Sequence, residues 1–213
     1  MSYDEPDAEI DAMVDAFYKD IGKELYPEHK EQAISAFIQD RMRSYYLKNS
    51  EIIQAPFECF FHAGECSYIS PRSALIIYTT SIELYLKSVI LKPMLYGMFH
   101  NELVAQLVVE TTTKQSGLER YFKLIELLCT QAERTGSPVL DWKSLWTDLK
   151  ENQTIRNKII HQGCQVTQRE VEAARNLAVK VLSRMVEPVL KSLDIRIDES
   201  NPEKATLLDN LKK

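Results

Sequence analysis

An arginine and a histidine five positions apart, Arg156 and His161, form the segment of this sequence best suited to chemistry on a phosphodiester. RNA carries its own nucleophile, the 2′-hydroxyl, so its cleavage needs proton transfer and stabilisation of a charged phosphorane. A histidine titrates near neutral pH and can move the proton, while the planar guanidinium of an arginine can bind phosphate oxygens. The pair therefore predicts cleavage of RNA without a metal ion.

The spacing within this segment decides which side chains can cooperate. Side chains five positions apart on an α-helix diverge by about 140°. Asn157 and His161 are four positions apart and share a face, so we expect Asn157 to hydrogen-bond the imidazole and fix its tautomer. Arg156 must then reach the site by its length or come from a partner subunit. Lys158 could also contact phosphate, although an exposed lysine is more often simply solvated.

A purely structural interpretation accounts for the same residues. Arg156 would pair with a carboxylate such as Glu151, and His161 would help to end a helix before Gly163. An arginine and a histidine at this spacing also occur by chance, so the elements around them must support the chemistry.

The composition indicates one helical protein without a general affinity for nucleic acid. The chain has 213 residues, 45% hydrophobic and 27% charged, and its 6 glycines and 8 prolines are few, which favours long helices. The net charge of −5 counts against a non-specific nucleic-acid coat, but it allows a locally basic cleft. Four cysteines, no leader-like apolar segment and no apolar run of membrane length predict a cytoplasmic protein that does not interact with the membrane.

Helical periodicity predicts three regions, residues 1–69, 70–192 and 193–213. The first contains a helical hairpin over about 7–22 and 27–48, followed at 49–69 by an ordered loop containing Pro56, Gly64 and several aromatic residues. The second is a helical bundle, and the third is a polar, peripheral tail. We expect the bundle to begin with a central helix at Ser70-Pro71, which Pro93 bends or ends. Short helices follow at about 98–112 and 116–133, before a break at 136–138. The next helix starts at Asp141 and is stopped by Gly163, and the last is capped by Thr167 and Glu170.

The order of these elements, with the Arg-Asn-Lys-Ile-Ile-His segment before a glycine and a capped helix, resembles the HEPN superfamily over about residues 70–190. The segment from Tyr78 to Leu91 looks like the first conserved helix of that family, in which Glu and Leu-Lys recur. The resemblance implies an all-α helical bundle, normally a homodimer, whose paired Arg and His segments line a cleft. Residues 1–69 would be an N-terminal extension to it.

This resemblance implies a metal-independent endoribonuclease of toxin–antitoxin or antiviral-defence systems, acting on RNA without a cofactor. Arg156 and His161 would be catalytic, Asn157 would support them, and Glu83 would be the polar helix residue facing the site. An antitoxin or another protein partner would fit such a system. The alternative is a non-catalytic module of the same fold that binds nucleotide, RNA or a protein partner, which the acidic charge and the N-terminal extension favour.

Two further patterns have simpler explanations. Lys87 lies four positions after Glu83, so an ion pair along one helix explains Glu83 without a role in a site. Cys59, His62 and Cys66 could begin a zinc site, but a fourth ligand at suitable spacing is missing, so we expect no metal.

Overall fold

The computed structural model describes residues 13, 15, 29–30, 32–99, 101–115, 142–198 and 205–210. These residues are predominantly helical and contain one small antiparallel sheet, so the expected all-helical character is confirmed. The predicted helices at 7–22 and 116–133, the break at 136–138 and the cap at Asp141 lie outside the described residues, apart from two isolated positions in the first.

The described residues form six helices and two strands. In chain order they are α1 (32–48), α2 (Gln54–Cys66) after a 3₁₀ turn at Ser50–Ile53, α3 (Pro71–Met98), α4 (Glu102–Gln115), α5 (Trp142–Gln162), α6 (168–192), β1 (Ile195–Asp198) and β2 (Thr206–Asp209).

Helix α2 occupies the segment predicted to be an ordered loop, so that prediction is wrong in its secondary structure. Pro56 lies in the first turn of the helix, where a missing backbone N–H leaves no hydrogen bond unmade. Phe57 and Ala63 are buried, while Phe61, one turn after Phe57, is partly exposed. The aromatic residues therefore belong to an amphipathic helix that packs on the core.

Helix α3 is the central helix, as predicted, since it contributes to both hydrophobic clusters of the core. Its length and apolar composition would suit a membrane span, but most of its apolar stretch is buried against other parts of the protein. It runs through Pro93 to Met98, so of the two predicted effects, a bend or an end, Pro93 does not produce the end.

A π-helical segment, Tyr85–Leu91, lies immediately before Pro93. Pro93 has no N–H, so the carbonyl of Val89 lacks the donor that a regular α-helix would supply. The buried hydroxyl of Tyr46 donates to that carbonyl over 2.5 Å. Helix α6 has the same arrangement, with a π-helical segment at Leu182–Val186 before Pro188 in the turn that follows.

Local signals in the sequence set the ends of the helices near the candidate site. The predicted capping box is confirmed: the hydroxyl of Thr167 accepts from the N–H of Glu170, and the Glu170 carboxylate accepts from the N–H of Thr167. Gly163 takes a φ of +64° directly after α5, a conformation that favours glycine, so its predicted role as the stop is confirmed. Ser70 precedes α3 as expected, but its hydroxyl bonds to that of Ser73.

The described part of the C-terminal region forms two paired strands with buried side chains, which corrects the prediction of a polar, peripheral tail for these residues. Strands β1 and β2 pair antiparallel with Ile195 opposite Asp209, and Ile195 and Leu207 are buried. The hairpin is fixed to α1 by Arg43, which donates to the Leu193 carbonyl over 3.1 Å and pairs with Asp209 at 2.6 Å.

Residues before and after the predicted boundary at 69 also share one cluster, in which Tyr46 and Phe57 lie with Ile82 of α3.

Candidate functional site

The candidate catalytic residues lie on the last two turns of α5. Ile159 is buried against α3 and α6 and anchors these turns to the core. Arg156 is half-buried beside this face, whereas His161 is exposed. The helix is regular throughout, so the two side chains diverge by about 140°. A single chain therefore does not bring Arg156 and His161 onto one surface.

Arg156 is held by its neighbour along the helix. Its guanidinium donates to the side-chain oxygen of Asn157 over 3.1 Å. No ion pair joins Arg156 to Glu151, or to any other carboxylate in the part of the chain that the structure describes. The expected structural pairing is therefore absent there, and the remaining N–H donors of the guanidinium are available to a ligand.

His161 lies in the final turn of α5, where the backbone turns away at Gly163. The N–H of Gly163 donates to the carbonyl of Ile159 over 3.0 Å, which closes the helix. Within the described ranges the imidazole makes no hydrogen bond and no ion pair. The predicted bond from Asn157 to the imidazole is not formed, because the Asn157 oxygen accepts from Arg156 instead. Asn157 thus orients the arginine and leaves the histidine free.

Glu83 lies away from these residues. Its carboxylate is 3.7 Å from the ammonium of Lys87, the ion pair that the sequence predicts as the simpler explanation. The Asn152 amide donates to the Thr79 hydroxyl over 2.9 Å and joins α3 to α5. Glu83 follows Thr79 by one helical turn, and Arg156 follows Asn152 by one turn. Because α3 and α5 run antiparallel, these two turns lead in opposite directions, so Glu83 and Arg156 lie about 12 Å apart along the helix axes.

Lys158 faces the start of α6. Hydrogen bonds from the backbone and side chain of Thr167 hold the pKa of Glu170 below its usual value, and the charge of Lys158 lowers it further. Lys158 therefore contributes to the electrostatics of the cap, and a contact with phosphate would compete with this role.

The cysteine and histidine residues of α2 form a local cluster on one helix. The Sγ of Cys66 is 3.8 Å from the His62 Nε2, and the His62 Nδ1 is 3.5 Å from Glu65. Burial raises the pKa of the Cys59 thiol, which keeps it protonated. Over the described residues no group of three such side chains is arranged to hold a metal ion.

One feature near the site was missed by sequence reasoning. A groove between α2, α3 and α6 brings Tyr78 together with Glu172 and Arg175. Glu172 and Arg175 are three residues apart, so they occupy neighbouring positions on one face of a helix. This spacing could have been recognised in the sequence. Nothing in the sequence alone could show that α3 presents Tyr78 to the same space.

No protein-family model, curated protein or solved structure matches this chain.

Proposed function

We propose that this protein is a metal-independent endoribonuclease of the HEPN type. The observation that supports this most is the state of the two chemical side chains at the end of α5. His161 is exposed without a partner in the described chain, and Arg156 is oriented by Asn157 without being neutralised by a carboxylate. Both side chains are therefore free to contact a bound phosphodiester.

The proposed reaction is transfer of the phosphoryl group to the neighbouring 2′-oxygen. An imidazole takes the proton of the 2′-hydroxyl as its oxygen attacks phosphorus, and the guanidinium of Arg156 stabilises the charged phosphorane. The bond from phosphorus to the 5′-oxygen then breaks, and that oxygen receives a proton. The products are a 2′,3′-cyclic phosphate and a 5′-hydroxyl.

A second copy of the chain would complete this site. Because Arg156 and His161 diverge within one chain, the arginine of one subunit would act with the histidine of the other. Ile160 precedes His161 on α5 and is 46% exposed. Such a residue would be covered in a homodimer formed through the ends of α5.

We expect the purified protein to cleave RNA in excess EDTA, and His161→Ala and Arg156→Ala each to reduce cleavage at least a hundredfold. Gel analysis of a labelled RNA, with identification of the 2′,3′-cyclic end, measures this. The matched controls are His62→Ala and Arg184→Ala, which remove an exposed histidine and arginine elsewhere. Equal cleavage by wild type and both α5 variants would exclude the assignment.

For a toxin of a toxin–antitoxin or defence system, expression of the wild type should also arrest growth of the host, and expression of His161→Ala should not.

The second candidate is a module of the same fold that binds RNA, nucleotide or a protein partner without cleaving it. The divergence of Arg156 and His161 within one chain favours it, since neither residue can assist the other there. A monomeric protein that binds RNA and leaves it intact would support this function over the nuclease.

A further inference from the structure

The groove between α2, α3 and α6 has the size of a small-ligand site, about 300 Å³. Its floor is formed by Tyr78 of α3, and its walls by Gly64 at the end of α2 and by Glu172 and Arg175 of α6. Tyr68, in the turn between α2 and α3, stands at the rim and is 89% exposed. The groove therefore combines a deep polar group with an aromatic ring at its mouth.

Tyr78 is the residue that makes this groove unusual. The side chain is 1% exposed and its ring packs against Phe60, yet its hydroxyl makes no hydrogen bond in the described chain. The hydroxyl is not an enclosed polar atom, so it is reached from the groove that Tyr78 lines. Burial raises the pKa of Tyr78, so the hydroxyl remains protonated and points a donor at the groove.

Glu172 and Arg175 add an acceptor and a set of donors on one side. They lie one turn apart on α6 and are both exposed, but they form no ion pair with each other or with any described side chain. The charge of Arg175 is close enough to lower the pKa of Tyr78, which places the guanidinium near the hydroxyl. Three polar side chains thus face the groove with their hydrogen-bonding capacity unused.

The position of Gly64 keeps the groove open. A Cβ built at this residue would lie 3.5 Å from the Tyr78 hydroxyl, an ordinary van der Waals contact, so the fold would accept alanine. Alanine also favours a helix over glycine by about 1 kcal/mol. The fold itself therefore does not require glycine here, and the space it leaves is access to the hydroxyl.

We propose that this groove binds an unpaired guanine base of RNA, an inference that rests on the proposed function for the identity of the ligand. Guanine presents two adjacent donors, N1–H and the 2-amino group, next to a carbonyl oxygen. The Glu172 carboxylate would accept from the two donors, and the Tyr78 hydroxyl would donate to O6. Arg175 would bind the adjoining phosphate, and Tyr68 would stack on the base.

The other bases fit this set of groups less well. Uracil has one ring N–H donor between two oxygens, so it cannot satisfy a carboxylate twice. Adenine and cytosine offer an amino group beside a ring nitrogen that is an acceptor, which would face the carboxylate unfavourably. A bare phosphate would meet Arg175 but would be repelled by Glu172.

Calorimetric titration of the full chain with 5′-GMP, 5′-AMP, 5′-CMP and 5′-UMP tests the proposal. We expect GMP to bind about tenfold or more tightly than UMP, and Glu172→Gln and Tyr78→Phe each to weaken GMP binding about tenfold. Gly64→Ala should weaken it as well while leaving the helical circular dichroism intact. The matched controls, Glu151→Gln and Arg184→Gln, change exposed residues outside the groove and should bind GMP as the wild type does.

Equal affinity for the four nucleotides, or unchanged GMP binding in Glu172→Gln and Tyr78→Phe, would overturn the proposal. Inorganic phosphate that competes as well as GMP would also overturn it, since only the anion would then be recognised. An RNA hairpin with one unpaired guanine, tested beside GMP, shows whether the base is taken from RNA. Binding of GMP by a protein that cuts no RNA would refute the nuclease alone, and cutting without GMP binding would refute the groove alone.

Discussion

At the scale of single residues, Tyr46 shows how one side chain supports a central helix. Its hydroxyl supplies the donor that Pro93 cannot supply to the Val89 carbonyl, and it does so from inside the core. Burial raises the pKa of this hydroxyl, so the group stays protonated and donates at neutral pH.

We expect Tyr46→Phe to lower the free energy of unfolding by about 1–3 kcal/mol, because it leaves the buried carbonyl without a donor. Urea unfolding measures this. Tyr45→Phe is the matched control, since the half-buried Tyr45 hydroxyl makes no hydrogen bond among the described residues and its loss should change little. The Pro93→Ala substitution restores an N–H at this position, so in that background Tyr46→Phe should lower the free energy of unfolding by less. An undiminished loss of stability in that background would refute this explanation.

At the scale of elements, the start of α6 depends on the ionised form of Glu170. The folded pKa is below the ordinary value of 4.5, so the stabilisation is fully present above that value. It is lost as the pH falls through the lower, folded pKa, because protonation weakens the bonds to Thr167.

Glu170→Gln should therefore lower stability by about 0.5–1 kcal/mol at pH 7, and the difference from wild type should be smaller at pH 3. Urea midpoints at both pH values measure this. Glu172→Gln, two residues further along the same helix, has no bond in the cap and should match the wild type at both. A difference for Glu170→Gln that persists undiminished at low pH would show that the charge is not the cause.

Elements governed by local signals were predictable from the sequence, and those governed by packing were not. The cap at Thr167 and the stop at Gly163 follow from residues within four positions of each other. Helix α2 was missed because Pro56 and Gly64 resemble loop signals, although the proline falls in a first turn and the glycine faces the groove. The alternation Ile195-Arg196-Ile197-Asp198 was a signal for β1, but at four residues it is short.

The same distinction holds for the candidate site. The positions of Arg156, Asn157 and His161 on one helix end were predictable, because helical geometry is regular. The hydrogen-bond partner of Asn157 was not predictable, since Arg156 and His161 compete for its side-chain oxygen. The separation of Glu83 from Arg156 depends on the direction of α3 against α5, which only the tertiary structure supplies.

At the scale of the whole molecule, the described residues before and after residue 69 contribute to one hydrophobic core. Tyr46 and Phe57 share a cluster with α3, and the hairpin that ends the described chain is tied to α1 through Arg43. Removal of α1 and α2 would expose much of the apolar surface of α3.

A fragment of residues 70–213 should therefore lack a cooperative thermal transition, whereas the full chain should unfold in a single one. Circular dichroism and scanning calorimetry of both measure this. A matched fragment of residues 29–213, which keeps α1 and α2, is the control and should retain the transition. Cooperative unfolding of the shorter fragment would show that the predicted boundary at 69 separates independent domains.

The π-helical segments of α3 and α6 have a consequence for chain length. Each segment holds about one extra residue in its turn and so shifts the angular phase of everything after it by about 100°. The two segments pack against each other, and Leu95 and Leu190, which follow them, both face the core. Loss of one residue from either segment would convert it to a regular α-helix and rotate its far end out of alignment. These helices therefore tolerate changes of residue type here better than changes of residue number.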